Sequence, residues 1–148
     1  MSAKTRKILV LPLIAVLAIF SGCGGGGSSP SEPSSSSDSG IPPVAALPAR
    51  TLSWEPPTSY VDATPMNPVT ELDQIEIYVN ETGAFTDEDV PTASLGAVDP
   101  QTRTIASSFN LANLSPHVTA GPKYYVSLRA VALTGLKSDF SPPVSFSF

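Results

Sequence analysis

Tyr124-Tyr125-Val126-Ser127-Leu128-Arg129-Ala130-Val131 alternates strictly. Tyr124, Val126, Leu128 and Ala130 fall on one side; Tyr125, Ser127, Arg129 and Val131 fall on the other. A period of two is the mark of an extended strand with one buried face. The pattern recurs upstream at 74–79, where Ile75, Ile77 and Val79 oppose Glu76 and Tyr78. It recurs in Thr51-Leu52-Ser53-Trp54, in 104–111 (Ile105, Ser107, Phe109 and Leu111 on one side) and in 144–148 (Val144, Phe146, Phe148). Pro, Gly, Asn and Asp separate these runs, and no stretch beyond residue 43 sustains a 3.6-residue period over three turns. Residues 44–148 therefore read as a single antiparallel all-β domain, large enough for one modest core.

Four stretches carry a family resemblance. Leu52-Ser53-Trp54-Glu55-Pro56-Pro57 resembles the start of strand B of fibronectin type III domains. Phe109-Asn110-Leu111-Ala112-Asn113-Leu114 is similar to strand E and its following turn, and 124–131 to strand F. Residues 135–144, with Ser138, Phe140 and Ser141, resemble the F–G turn and the start of strand G. The likeness spans 44–148 and is closest to bacterial versions in secreted and surface proteins. It implies an immunoglobulin-like, seven-stranded antiparallel sandwich. Trp54 would fill the space between the sheets, and Tyr124 would form a tyrosine corner, its hydroxyl bonded to backbone near Leu114. The implied core is Leu52, Trp54, Ile75, Ile77, Phe109, Leu111, Leu114, Tyr124, Val126, Leu128, Val144 and Phe146. Two departures stand out: an enlarged E–F turn at 115–123, and Ile75 where the family has an aromatic. Strand A is expected at 44–47, beside the edge-protecting Pro42, Pro43 and Pro48.

The other end of the chain indicates a destination. Lys4, Arg6 and Lys7 precede an uncharged apolar run at 8–20. Its 13 residues suit a signal-peptide core and fall short of the roughly 20 needed to span a membrane. Phe20-Ser21-Gly22-Cys23 follows and resembles the bacterial lipobox, with Phe20 where the pattern usually has Leu. The resemblance implies a signal peptide at 1–22, lipidation of Cys23 and a bacterial cell-envelope location. Gly24, rather than Asp, directs the expectation to the outer membrane. Cys23 is the only cysteine, so no internal disulfide can form. Each buried methylene contributes about 0.8 kcal/mol, so two or more acyl chains anchor a protein stably.

Residues 23–43 comprise Cys23 and a Gly-, Ser- and Pro-rich tether with no aliphatic residue before Ile41. Such a segment is expected to be disordered, spanning roughly 25 Å as a coil and at most about 70 Å when stretched. All 13 acids follow Cys23, against five basic residues, giving net −8. That balance argues against nucleic acid as a partner and against charge-driven binding to anionic lipid.

Chemistry-bearing clusters are few. His117, the only histidine, sits in the enlarged turn, without the Gly-x-Ser-x-Gly elbow a serine hydrolase would show. Asp87-Glu88-Asp89 is the one acidic run; in an extended loop Asp87 and Asp89 would converge, with Asp99 near. It reads as a solvated loop rather than a calcium site. No cofactor, metal or catalytic residue is assigned, and the chain reads as non-enzymatic. The remaining hint is aromatic: Tyr78 and Tyr125 are expected to point outward on one sheet face, with Tyr60 in a long loop. Exposed tyrosines suit protein or sugar recognition. The sequence thus favours a lipid-anchored module that binds an envelope protein or acts as a spacer. The alternative is a carbohydrate- or peptidoglycan-binding accessory using these tyrosines.

Overall fold

A computed structural model describes residues 46–148. Cys23, the expected signal peptide at 1–22 and the expected tether at 23–43 lie outside the described residues. Six strands are present among them, in two antiparallel sheets with almost no helix. They are β1 (Thr51–Ser53), β2 (Leu72–Asn80), β3 (Ala93–Gly96), β4 (Ser108–Asn110), β5 (Tyr124–Ala132) and β6 (Val144–Phe146). β1 pairs with β4; the second sheet runs in the order β3-β2-β5-β6.

The long pair β2–β5 fixes everything else. Ile75 lies opposite Ala130, Ile77 opposite Leu128 and Val79 opposite Val126, so both apolar stripes face inward together. A slip of one residue would turn one of the two stripes to the opposite face of the sheet. Leu52 and Trp54 approach from the smaller sheet, and Leu111, Leu114, Val118, Tyr124 and Phe146 complete the core. Each fully buried aliphatic side chain contributes about 1.5–3 kcal/mol. Phe109 and Val144 pack against this core but are only half-buried. Trp54 is buried in the core, although its indole Nε1 has no hydrogen-bond partner.

Three expectations need correction, and one strand comes unannounced. The 104–111 run is a strand only at β4, because Val98 bridges Ile105 and Asp99 N–H donates to the Thr104 carbonyl. That local hairpin takes the first half of the run away from β1. Beyond β4, Leu111–Leu114 is a 3-10 turn; the Asn110 carboxamide accepts from Ala112 N at 3.1 Å and caps it. Leu111 and Leu114, three apart, eclipse on one side of that turn and are both buried. The unannounced strand is β3, which had no apolar alternation. Second, Ala46 and Leu47 are not in a strand, and 44–45 lie outside the described residues, so six strands rather than seven are seen. Third, the Tyr124 ring is buried, but its hydroxyl meets Thr119 rather than Leu114. Both the Thr119 N–H and Oγ1 lie 3.2 Å from it. The enlarged turn accounts for the shift: buried Val118 draws the chain inward and brings Thr119 to the phenol.

Between β1 and β2, a one-turn helix α1 (Pro68–Glu71) leads into the long strand. Asn67 Oδ1 accepts from Val69 N at 3.1 Å, and Glu71 Oε2 accepts from Asn67 N at 2.9 Å. This reciprocal cap fixes where β2 begins.

Candidate functional site

The outer face of the β3-β2-β5-β6 sheet carries the residues that the sequence singled out. Glu76 and Tyr78 alternate outward from β2, and Tyr125, Ser127 and Arg129 from β5. Tyr78 lies opposite Ser127, and Asn80 opposite Tyr125, so Tyr78 and Tyr125 share this face diagonally, as expected.

Their exposure differs from the expectation. Tyr78 is only 2% exposed, although it stands on the side away from the main core. Two segments of the chain fold back over it. The first is 137–141, which runs beside β5. Ser138 N donates to the Ala130 carbonyl and Ser141 N to the Leu128 carbonyl, both at 2.9 Å. The Ser138 and Ser141 hydroxyls accept from Ala130 N and Leu128 N, again at 2.9 Å. Two buried serines thus take part in the backbone pairing of β5 and set Phe140 over the sheet. Phe140 meets the Tyr78 ring edge-on at 4.9 Å.

The second segment is 81–92, between β2 and β3. Asn80 organises its entry: the carboxamide accepts from Thr82 N and Gly83 N and donates to the Ala84 carbonyl. Gly83, at φ +76, lies against the Tyr125 ring; an added Cβ would come within 3.1 Å of it. Phe85 stacks on Phe140 at 5.8 Å. Asp87 Oδ1 accepts from Arg129 Nη1 at 2.6 Å, while the Arg129 guanidinium lies 4.6 Å from the centre of the Phe140 ring. Arg129 Nε donates to the Ser138 carbonyl at 2.8 Å. Aromatic pairs of this kind contribute about 0.5–1.5 kcal/mol each, and the cation–π contact about 0.5–1 kcal/mol. The result is a second, smaller core built on the outside of the sheet.

At its centre sit a buried carboxylate and a buried phenol. Glu76 accepts from Lys137 Nζ at 2.7 Å and 2.9 Å and from Tyr78 Oη at 2.6 Å. Burial alone would raise the Glu76 pKa. The Lys137 and Tyr78 hydrogen bonds and the positive charges of Lys137 and Arg129 outweigh it, and the net shift is downward. Tyr78 is pushed up to about 12, by burial first and then by its bond to the Glu76 carboxylate. Both groups find their hydrogen-bond partners within the domain.

The three tyrosines do not form one patch. Tyr60 is half-buried, packs against the main core, and its hydroxyl lies 3.5 Å from Glu71 Oε2. Glu71 precedes the first residue of β2, whereas Tyr125 faces the last, Asn80. Nine strand residues separate those ends by roughly 25–30 Å. Tyr125 is half-buried beneath Gly83, with Lys123 Nζ 5.1 Å from its ring centre.

The other candidates are placed as follows. His117 is exposed, its N–H donating to the Leu114 carbonyl at 2.8 Å. Asp87 and Asp89 do not converge: Asp87 turns to Arg129, and Asp89 Oδ2 accepts from Thr86 N at 2.6 Å. Asp99 Oδ1 accepts from Gln101 N and Thr102 N, which hold its carboxyl below the usual range. Among the described residues, no three His, Cys, Asp or Glu side chains group as metal ligands would. Sequence reasoning missed Phe85, Arg129 and Phe140 as partners. Phe85 meets Phe140 across 55 positions and Arg129 meets Asp87 across 42, separations that no local pattern reports. No family model, curated protein or solved structure matches the chain.

Proposed function

We propose that the chain is a lipid-anchored envelope protein whose β domain, of fibronectin type III kind, is a non-catalytic module that binds another envelope protein or spaces it from the membrane. The observation that carries this reading is the position of the only cysteine. Cys23 follows a basic start, a 13-residue apolar run and the small pair Ser21-Gly22, and precedes a Gly-, Ser- and Pro-rich stretch with no aliphatic residue before Ile41. The partition of strands supports the family likeness: β1 and β4 hold the places of B and E, and β2, β5 and β6 those of C, F and G. The buried Tyr124, bonded to Thr119, supports it further.

Sugar recognition through exposed tyrosines draws no support from the geometry, because Tyr78 is covered and Tyr60 lies at the other end of β2. The anchor is tested by Cys23→Ser. Release from the membrane fraction and loss of acyl labelling are expected; a protein that stays membrane-bound and unlabelled in both forms would overturn the reading. An outer-membrane location, expected from Gly24, is read from the same fractions.

A further inference from the structure

The two edges of the four-stranded sheet are unlike. β6 is three residues long and follows Pro142 and Pro143, which protect that side from strand pairing. β3 carries neither proline nor charge. Its pairing with β2 places Leu95 opposite Ile75 and Ala93 opposite Ile77, and Ala97 N donates to the Asp73 carbonyl at 2.9 Å. In an antiparallel ladder the residues between these, Ser94 and Gly96, turn their N–H and C=O groups to the open side. Both are exposed.

Beside that edge lies a cleft of about 430 Å³. Its apolar walls are Leu95, Val98, Ile105 and Ala106, and Asp99 is its charged residue. It opens between the edge of one sheet and the segment that enters β4. Ala106 N–H donates to the Ala97 carbonyl, closing the inner end of the 98–105 hairpin. Asp73, whose main-chain carbonyl accepts from Ala97 N, and Asp99 bring two acidic residues to this end of β3; Arg103 joins the turn through its N–H, which donates to the Asp99 carbonyl. Open backbone groups, an apolar recess and acidic flanks together fit an extended peptide with an aliphatic side chain and a nearby Lys or Arg.

We propose that β3 receives an extended strand from a partner protein. An aliphatic residue enters the cleft and a basic residue pairs with Asp99. This rests on the protein-binding reading above and names its surface.

Photo-crosslinking of the full-length chain, in cells that naturally make it, tests the proposal. A benzophenone side chain is placed at Ser94 or Ser108, at the cleft, and at Ser145 or Thr134, away from it. Ser94→Pro removes an outward N–H along with the exposed hydroxyl, and Asp99→Asn removes charge while keeping the turn-forming oxygen. The expected result is one short partner segment captured from both Ser94 and Ser108, at least about tenfold above the distant positions. Capture from Ser108 then falls severalfold in Ser94→Pro and in Asp99→Asn, with thermal unfolding checked for each. Should Ser94→Pro fail to fold, Asp99→Asn decides alone. Capture unaffected by these changes, or confined to Ser145 and Thr134, overturns the proposal and leaves the protein-binding reading standing. No protein captured at any position overturns both.

Discussion

The Tyr78 hydroxyl donates a 2.6 Å hydrogen bond to Oε2 of Glu76, two residues earlier on the same face of β2. Lys137 donates to the same carboxylate from the other side of the domain sequence. A ring expected to stand exposed is therefore buried and bonded within the domain. Tyr78→Phe is expected to cost about 1.5–3 kcal/mol, the usual loss for a hydrogen bond to a charged group, towards the low end because Lys137 still pairs with Glu76. Tyr78→Ala also empties the space under Phe140 and is expected to cost about 3–5 kcal/mol. Urea denaturation measures both; losses below about 0.5 kcal/mol for both would mean that Tyr78 is not packed as described.

Acid titration tests the other end of this bond. The folded pKa of Glu76 lies below its ordinary value of 4.5, so the unfolded chain binds its proton more readily. Stability from this group is fully present above about 4.5 and is lost as pH falls through the lower folded value. Glu76→Gln should lower stability at neutral pH and flatten the acid limb of the stability–pH curve. An unchanged acid limb would contradict the ion-pair account.

Alkaline titration works in the opposite sense. Tyr78 holds its proton to about 12 when folded, against an ordinary value of 10.0. Between these pH values the folded state binds the extra proton, so this group's contribution to stability is lost as pH rises through that window. The difference in tyrosinate absorbance between native protein and Tyr78→Phe should therefore appear only near pH 12. A difference developing around pH 10 would show an accessible phenol.

The covering segment 81–92 has one weak and one strong fastening. The Asp87 side chain is 85% exposed, so Asp87→Ala is expected to change stability by no more than about 1 kcal/mol. Phe85→Ala removes the ring stacked on Phe140 and should raise hydrogen exchange across 81–92 well above that of Asp87→Ala, while β2 and β5 keep their protection. Equal exchange in the two variants would mean that the stacking does not hold the segment.

Gly83 and Tyr125 should act as a unit. Gly83→Ala meets an unfavourable φ of +76 and a ring 3.1 Å from its new Cβ. A loss of about 1 kcal/mol or more is expected from the backbone conformation alone, plus the clash. Combining it with Tyr125→Ala should recover the clash portion, giving a coupling of about 0.5 kcal/mol or more in a double-mutant cycle. Strict additivity would contradict the close approach.

The long strands were legible because each buries a continuous stripe: Ile75-Ile77-Val79 and Tyr124-Val126-Leu128-Ala130 report their own inner face. Trp54 and Tyr124 were legible for the same reason. β3 was not: Ala93-Ser94-Leu95-Gly96 offers one large apolar residue and is held by β2 rather than by its own pattern. Alternation also assigned Tyr78 to the outer face correctly but could not show that this face is covered. Its cover depends on Phe85 and Phe140, 55 residues apart in sequence and brought together only by the fold. The shifted tyrosine corner belongs to the same class, since the inward turn at Val118 has no local signature.

The most direct test of the account is whether the outer sheet face is closed by the chain's own 81–92 and 137–141 segments. Proton NMR in the presence of a soluble paramagnetic chelate measures this ring by ring. The Tyr78 ring protons are expected to be shielded from the agent, with cross-relaxation from Phe85 to Phe140 and from Gly83 to Tyr125. Strong relaxation of the Tyr78 ring together with absence of those contacts would contradict it, and would return the tyrosines to the list of recognition residues.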